Sequence, residues 1–414
     1  MIPNPLMQYN FPVNMLESGY FPSYHNISRA PFTVRNLDLT TGESNQAAAS
    51  ASLVAQSAQS LSKVYGLFTS TSNYTFFASY PAGHESSLEG VHGDIHDDIG
   101  GEGFWAGHMT IIPMSSYDPV FWLHHANIDR LLALWQAIYP DDYVEPNFNP
   151  YGSYYQPVDQ VDTINTPLAP FHSSNGSTMW TAATARDTAA FGYIYPEIID
   201  WNISATDLAA QVRQKVNLMY SPLAQQNPQN TSSSRLQRDT NIAHTLSNID
   251  AGTALTLGVS NLERQWFLRL TLAGLALKNS VAVYFFIGET DTTSASMWPQ
   301  APNLIGTYKP YTPSEAHRDI RESTQQAKVS FSHIVAAAVA KGVLSDIEVV
   351  SVLPFIKRHL TWRYVDRNGV EMASNSVPGI KIEILSRSVE PRKNMADFPI
   401  YGSYEVHQVL FQGS

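Results

Sequence analysis

The chain has 414 residues and no cysteine, so disulfides and thiolate metal sites are excluded. Its formal net charge of -11 argues against nucleic acid or an anionic membrane as a partner. The length is sufficient for two or more domains, each with its own core. The sequence shows no signal-peptide pattern and no apolar run long enough to cross a bilayer, so we expect an intracellular, cytoplasmic protein.

The first hundred residues predict a loop followed by two helices. Residues 1–44 are rich in Pro, Asn and aromatic residues and show no sustained period, which predicts extended loop. Residues 45–68 place apolar side chains at helical spacing. A second helix is predicted to begin at Ser86 as N-cap, with Glu89 completing a capping box, and to end at Gly100.

A third helix is predicted between two clear boundary signals. Asp118 is the expected N-cap, Pro119 is suited to the first helical position, and Pro140 ends the apolar stripe. Residues 140–200 are rich in Pro and Tyr and show no period, so no regular element is predicted there.

The C-terminal third has a different pattern. Residues 225–241 are polar and include Arg235 and Arg238, which predicts an exposed linker that proteases can reach. Beyond it, Asn368-Gly369 is a hairpin signal, and a helix is predicted over 332–341. Short β-rich runs predict strands at QWFLRLTL (265–272), AVYFFIG (282–288), IEVVSVL (347–353), LTWRYV (360–365) and IKIEIL (380–385).

Three histidines have the spacing of metal ligands. His92 and His96 are four residues apart on the second predicted helix, so both rings lie on one face. Antiparallel packing of the third helix would bring His125 to the same point. Three neutral imidazoles suit copper or zinc. Asp129, four residues after His125, and Asp97, beside His96, are candidates to orient the rings. From the spacing alone, a three-histidine metal site and histidines that bind no metal are equally expected.

Several segments resemble one protein family. VHGDIH (91–96) followed by DPVFWLHHANIDRLLALW (118–135) is similar to the second-copper half of tyrosinases, catechol oxidases and haemocyanins. NPLMQYNFP (4–12), GHM (107–109) and FGYIYPE (191–197) are similar to fungal tyrosinases. The β-rich third resembles the C-terminal domain that covers the active site in their latent forms.

The resemblance implies copper-dependent oxidation of phenols or catechols to o-quinones by O2. In the family register, His92, His96 and His125 are the ligands of one copper, and His124 is a packed neighbour. Glu89 matches a glutamate that orients a water during phenol deprotonation.

Other positions are interpreted through the same resemblance. Gly93 stands where monophenol-hydroxylating members often have Asn, so catechol oxidation is the more expected activity. Gly93 is expected near the rim of the site, together with Phe104, His108 and Met109 of the Gly-rich loop GEGFWAGHM (101–109), because loops of this kind carry selectivity. Arg130 is expected to pair with a carboxylate or with the tyrosine-containing segment.

The first-copper ligand set of the family is not found in this sequence. Before His92 there are only His25 and His84, and neither has the expected spacing. We therefore expect at most one copper ligand set, low activity of the isolated chain, and a missing N-terminal half on another chain or segment. The alternatives are a non-catalytic or mononuclear metal-binding relative and, more weakly, a zinc hydrolase with Glu89 as base.

The resulting fold class is α+β with several domains. Residues 1–200 are predicted to form a partial copper domain of four-helix-bundle type, 201–250 a linker region, and 251–408 a mostly β domain. An aromatic residue of that domain, among the Phe and Tyr of the 280s and 300s, is expected to cover the copper site. Residues 409–414, VLFQGS, resemble a protease site used to remove purification tags and are predicted to lie outside the fold.

Overall fold

The N-terminal part of the computed structural model is helical. Its helices are α1 (Gln46–Thr69), α2 (Tyr74–Ala78), α3 (Leu88–Gly100), α4 (Val120–Ile138) and α5 (Ala205–Tyr220). The structure describes residues 4–12, 27, 29–38, 41–79, 87–101, 106–149, 152, 155–173, 176–221, 263–273, 281–289, 294–309, 324–366, 369–373 and 377–412.

The helix boundaries follow local capping chemistry. The side chain of Asn45 accepts a hydrogen bond from the Ala48 amide at the start of α1. At the start of α3 the capping residue is Ser87, one position later than the predicted Ser86, because its hydroxyl accepts from the Gly90 amide. The same helix ends at Gly101, whose φ of 88° is accessible to glycine at little cost.

The third predicted helix begins slightly later than expected. Its first helical residue is Val120, and Pro119 precedes it. Asp118 still caps the helix, because its Oδ1 accepts from the Val120 amide at 3.0 Å. The difference of one residue lies within the usual uncertainty of a helix end.

The helices share one apolar core. All five contribute side chains to it, since each helix presents one apolar stripe inward. Its buried members are Tyr65, Leu67, Phe68, Phe77, Leu88, Val91, Leu131, Leu134, Trp135, Ile138, Val212 and Val216.

The predicted linker region began too early in the chain. Residues 205–220 form α5 rather than linker, and Val212 and Val216 are fully buried in the helical core. The N-cap Ser204 and this apolar spacing stabilise the helix against α1 and α4. The helical domain therefore continues to Tyr220. Arg235 and Arg238 lie outside the described residues.

Residues 140–200 contain short regular elements that the sequence pattern did not predict. Strand β1 (Asn147–Asn149) pairs with β2 (Gln160–Asp162), and β3 (Pro167–His172) pairs with β4 (Met179–Thr181). These two hairpins are largely exposed, so they lack the buried alternation on which sequence-based strand prediction depends.

In the described residues, the C-terminal domain consists of two antiparallel sheets and two helices. The elements are β5 (Arg264–Ala273), β6 (Ala282–Ile287), β7 (Leu304–Tyr308), β8 (Thr324–Ser330), α6 (Ser332–Ala340), α7 (Val349–His359), β9 (Leu360–Val365), β10 (Glu371–Met372), β11 (Ile380–Glu390), β12 (Ile400–Tyr401) and β13 (Glu405–Gln412). One sheet has the order β10-β9-β6-β7, and the other has the order β12-β11-β5-β8 with β13 also paired to β11.

The core of this domain lies between the two sheets. Alternate residues of β5 (Trp266, Leu268, Leu270) and of β6 (Val283, Phe285, Ile287) belong to one buried cluster, as expected for strands that turn one face to a shared core. The opposite face of β6 is covered as well, so that every residue of this strand is buried.

Two predictions for the C-terminal third were wrong. IEVVSVL was predicted as a strand, but from Val349 it forms α7, because Val352, Phe355 and Ile356 are buried at helical spacing. Residues 409–412 were placed outside the fold, but they belong to β13 and pair with β11. The helix predicted over 332–341 is α6, and Gly369, of the predicted hairpin turn, lies between β9 and β10 with Asn368 outside the described residues.

The two domains contact each other along α1, α3 and α5. Gln56 of α1 donates a side-chain hydrogen bond to Thr307 at 2.8 Å, and Lys309 pairs with Asp97 of α3 at 3.6 Å. We call residues 391–399 the strap, because they join β11 to β12 while contacting α5. The buried side-chain amide of Asn217 donates to two carbonyls of the strap. No helix in the described part of the chain has the length and apolarity needed to cross a membrane.

Candidate metal centre

Three imidazole nitrogens converge at one point between α3 and α4. The Nε2 atoms of His92 and His96 lie 3.0 Å apart, and each also lies close to Nε2 of His125, at 3.1 Å and 3.2 Å respectively. Nitrogens at these separations all face a common centre. A single metal ion at that centre would be within bonding reach of all three.

The helices place these rings by simple geometry. His92 and His96 project from one face of α3, one turn apart. His125 projects from the second turn of α4, which packs against α3. The ring of Phe121 stacks on His125 with centroids 4.0 Å apart, which restricts the orientation of that imidazole.

The tautomer of His96 is fixed by a backbone carbonyl. Its Nδ1 lies 2.6 Å from the carbonyl oxygen of Met109. Because a carbonyl can only accept, Nδ1 carries the proton and Nε2 presents a lone pair to the centre. This contact was not predicted from the sequence, because every residue has a backbone carbonyl and nothing in the sequence distinguishes that of Met109.

His124 occupies a different position from His125. Its Nε2 donates to the carbonyl oxygen of His92 at 3.1 Å, and its buried ring stacks on the His92 ring with an angle of 11°. One nitrogen of His124 also lies within 4.8 Å of ligand nitrogens of His92 and His96. Nε2 of His125 lies 3.1 Å and 3.2 Å from the Nε2 atoms of His92 and His96, so it is directed at the centre.

Burial keeps these rings neutral near pH 7. Desolvation, followed by the neighbouring His96 and His125, lowers the pKa of His92 to about 4. Desolvation also lowers the pKa of His124 to about 3, and those of His96 and His125 below their ordinary value. Neutral imidazoles retain the lone pairs that a metal requires.

The predicted orienting carboxylates have other partners. Asp129 accepts hydrogen bonds from the hydroxyls of Tyr193 at 2.6 Å and Tyr195 at 2.5 Å, so it anchors the tyrosine-containing segment to α4. Asp97 faces Lys309 of the C-terminal domain. The i+4 spacing predicted that Asp129 would orient His125. The two tyrosines that Asp129 contacts instead are more than 60 residues further along the chain, so local spacing could not predict them.

The remaining predicted positions are distributed around the centre. Glu89 is exposed in the first turn of α3. A Cβ added at Gly93 would meet no atom within 4 Å, so the space beside His92 is open. Arg130 pairs with the carboxylate of Glu197, as predicted.

The prediction for the site rim was wrong for two residues. His108 is fully buried and Met109 is 1% exposed, so both lie in the interior rather than at a surface rim. Phe104 is outside the described residues. Among the described residues, Trp122 and Leu123 in the first turn of α4 are exposed apolar side chains, three and two residues before His125.

The aromatic residues that were expected to cover the copper site are buried within the C-terminal domain. Tyr284 and Phe286 belong to one buried cluster of the C-terminal domain, and Phe285 and Tyr308 belong to another. These side chains fill the core of their own domain. They were attractive candidates in the sequence because burial cannot be read from residue type alone.

The donor set fits copper. It consists of neutral imidazoles with convergent Nε2 atoms, one of them held in the required tautomer, and this set suits copper or zinc better than calcium or magnesium.

Comparisons with known proteins match both parts of the chain. The family model for the common central domain of tyrosinase matches residues 1–138, and the tyrosinase C-terminal domain matches residues 265–384. Tyrosinase from Podospora anserina is 35% identical over 226 residues, which are 52% of this chain and 38% of that protein. Polyphenol oxidase 2 from Agaricus bisporus is 35% identical over 200 residues, 47% of this chain and 35% of that protein.

Solved structures show the same fold. Recombinant mushroom tyrosinase superimposes with a TM-score of 0.71 at 22% identity, covering 98% of this chain and 69% of that one. An Aspergillus oryzae pro-tyrosinase variant gives 0.60 at 18% identity, covering 100% and 67%. The matched region spans little more than a third of the Podospora relative. From both domain matches and these relatives, the chain belongs to the fungal tyrosinase and polyphenol oxidase family, which binds copper.

Proposed function

We propose that this chain supplies one copper site of a phenol oxidase that converts phenols or catechols to o-quinones with O2. The observation that carries the proposal is the convergence of three Nε2 atoms within 3.2 Å of one another. Membership of the tyrosinase and polyphenol oxidase family supports the same chemistry.

Within this proposal His92, His96 and His125 hold the copper. The short separations of their Nε2 atoms support the set, as does the His96 tautomer. His124 acts as a support, because its Nε2 proton is engaged by the His92 carbonyl and its ring stacks on His92.

The chain's own groups would bind and orient the substrate beside this centre. When bound, copper supplies one-electron redox chemistry and a site for O2. The overall reaction balances when two catechols lose four electrons and four protons, which reduce one O2 to two waters. The open space at Gly93 leaves room for a phenol ring, and the Glu89 carboxylate, one turn before His92, is the proposed acceptor that orients a water.

We also propose that two-copper chemistry requires a second ligand set from outside the described residues. In the ranges that the structure describes, possible metal ligands cluster at His92, His96 and His124, with His125 beside them. Trp122 and Leu123, on the helix that carries His125, expose 61% and 56% of their surface, which suits contact with a further segment or chain. The alternative function, a mononuclear metal-binding relative, needs no such segment.

The test compares two adjacent histidines. His125→Ala should abolish copper retention after dialysis, while the matched control His124→Ala should retain most of it, as measured by elemental analysis per chain. Equal loss from both variants would contradict the ligand assignment. Zinc retained in preference to copper would contradict the oxidase.

Catechol oxidation separates the two functions. One copper per chain with negligible turnover, restored when a segment carrying a second ligand set is added, supports the oxidase. One copper per chain with no turnover under either condition supports the mononuclear relative.

A further inference from the structure

We infer that His108 is a positioning residue for the metal centre: its buried imidazole fixes the 107–110 segment so that the Met109 carbonyl holds His96 in its ligating tautomer. The inference rests on the proposed copper site. The His108 ring bonds to Val34 and packs against Phe11, so its effect on the centre passes through Met109.

His108 and Val34 are joined by two hydrogen bonds. The His108 amide donates to the Val34 carbonyl at 2.9 Å. In return, Nδ1 of the His108 ring accepts from the Val34 amide, also at 2.9 Å. The imidazole thus stands where a neighbouring strand would place a carbonyl, and it satisfies a buried backbone donor.

The chain around Met109 is held on both sides. On the N-terminal side, the Gly107 amide donates to the Gly100 carbonyl at 2.7 Å, at the end of α3. On the C-terminal side, the Thr110 hydroxyl donates to the Gly101 carbonyl at 2.6 Å. The fit is close, because a Cβ at Gly107 would lie 2.1 Å from the Val34 carbonyl oxygen. The Met109 carbonyl is therefore fixed relative to the α3 helix that carries His96.

The acceptor on His108 is chemically necessary at this place. The ring is fully buried, and in the described structure its Nε2 has no hydrogen-bond partner. An apolar replacement would leave the Val34 amide without its acceptor, and burying an unsatisfied donor is costly. We expect the segment to shift until water or another group reaches that amide, and the Met109 carbonyl would move with it.

A displaced Met109 carbonyl has a direct chemical consequence. Without its acceptor, the His96 ring can carry its proton on either nitrogen. The form protonated at Nε2 cannot donate a lone pair to the centre, so the proton must first move to Nδ1, and the affinity for metal falls. Contacts that fix a ligating histidine typically contribute 10–100-fold to metal affinity.

Three variants separate positioning from general stability. His108→Leu removes the acceptor, whereas His108→Asn retains a side-chain oxygen with the reach of Nδ1. Met114→Ala is the matched control, since Met114 is fully buried in the same small cluster as Val34 but does not bond to it.

The first readout is the His96 tautomer in the metal-free protein, measured by ring nitrogen NMR on selectively labelled histidine. We expect the wild-type chain, His108→Asn and Met114→Ala to show the proton on Nδ1. We expect His108→Leu to show both tautomers. A single Nδ1 tautomer in His108→Leu would overturn the inference, and so would mixed tautomers in Met114→Ala.

The second readout is Cu(II) affinity by competition with a chelator. His108→Leu should bind about 10–100-fold more weakly than wild type, and His108→Asn should recover most of that loss. A failure of His108→Asn to recover affinity overturns the inference. If the wild-type chain itself does not bind copper, the proposed function fails, and the tautomer readout still decides the role of His108.

Discussion

The buried ion pair between Arg35 and Asp118 is expected to control the stability of the helical domain. Arg35 donates from Nε to Oδ2 and from one terminal nitrogen to Oδ1 of Asp118, both at 2.7 Å. Asp118 is fully buried and Arg35 is 6% exposed. Because Asp118 also caps α4, the pair joins the N-terminal loop to the helix that carries His125.

Replacing one partner leaves a buried charge without its counterion. For Arg35→Met we expect a loss of about 3–5 kcal/mol in the free energy of unfolding, because the Asp118 carboxylate can no longer be compensated in the dry interior. The double variant Arg35→Met with Asp118→Leu removes both charges. It should lose only about 1 kcal/mol, mainly from the missing helix cap.

Urea unfolding at pH 7, followed by circular dichroism, measures these differences. Arg35 also donates to Gln46 at 3.2 Å, so Gln46→Leu is the control for that smaller contact. Wild type, Arg35→Met, Asp118→Leu and the double variant form a double-mutant cycle. A cost below about 1 kcal/mol for Arg35→Met, or simple additivity in the cycle, would refute the reasoning.

Further predictions follow from other observations. Burial lowers the pKa of His108 to about 4, and an unfolded histidine has a pKa of about 6.5, so only the unfolded chain gains a proton here as pH falls below 6.5. The metal-free protein should therefore lose about 2 kcal/mol between pH 7 and pH 5 at this residue, and denaturation of His108→Asn should lack this loss. Gly93→Asn should fold and retain copper, because the space at this position is open. Loss of the fold or of copper would contradict that interpretation. In an active assembly, the variant should have a higher ratio of monophenol to catechol turnover. Trypsin should cut first at Arg235 or Arg238. The two fragments should elute together in size-exclusion chromatography, because Asn217 donates hydrogen bonds to the strap. Separate elution of the fragments would argue against that contact. If the C-terminal domain covers the site, catechol oxidation should rise after the cut, and unchanged activity would remove that role.

The sequence alone determined the helices that carry the histidines. Asp118 is a capping residue with a strong local preference, and Gly101 supplies the positive φ that ends α3. The four-residue spacing of His92 and His96 puts both rings on one face in any helix. The family motif then gave the register of the third histidine. All of these features involve residues within a few positions of each other, so they can be predicted from the sequence.

Tertiary structure decided what surrounds those histidines. The Met109 carbonyl that fixes His96 is a backbone atom, which every residue possesses, so its role arises only from the packing of the 107–110 segment on α3. The β-branched run after Glu348 became helix α7 because three side chains at helical spacing found a buried surface. His108 was predicted at the rim but lies in the interior. Whether a polar side chain is buried depends on partners distant in the chain, and here the partner is Val34.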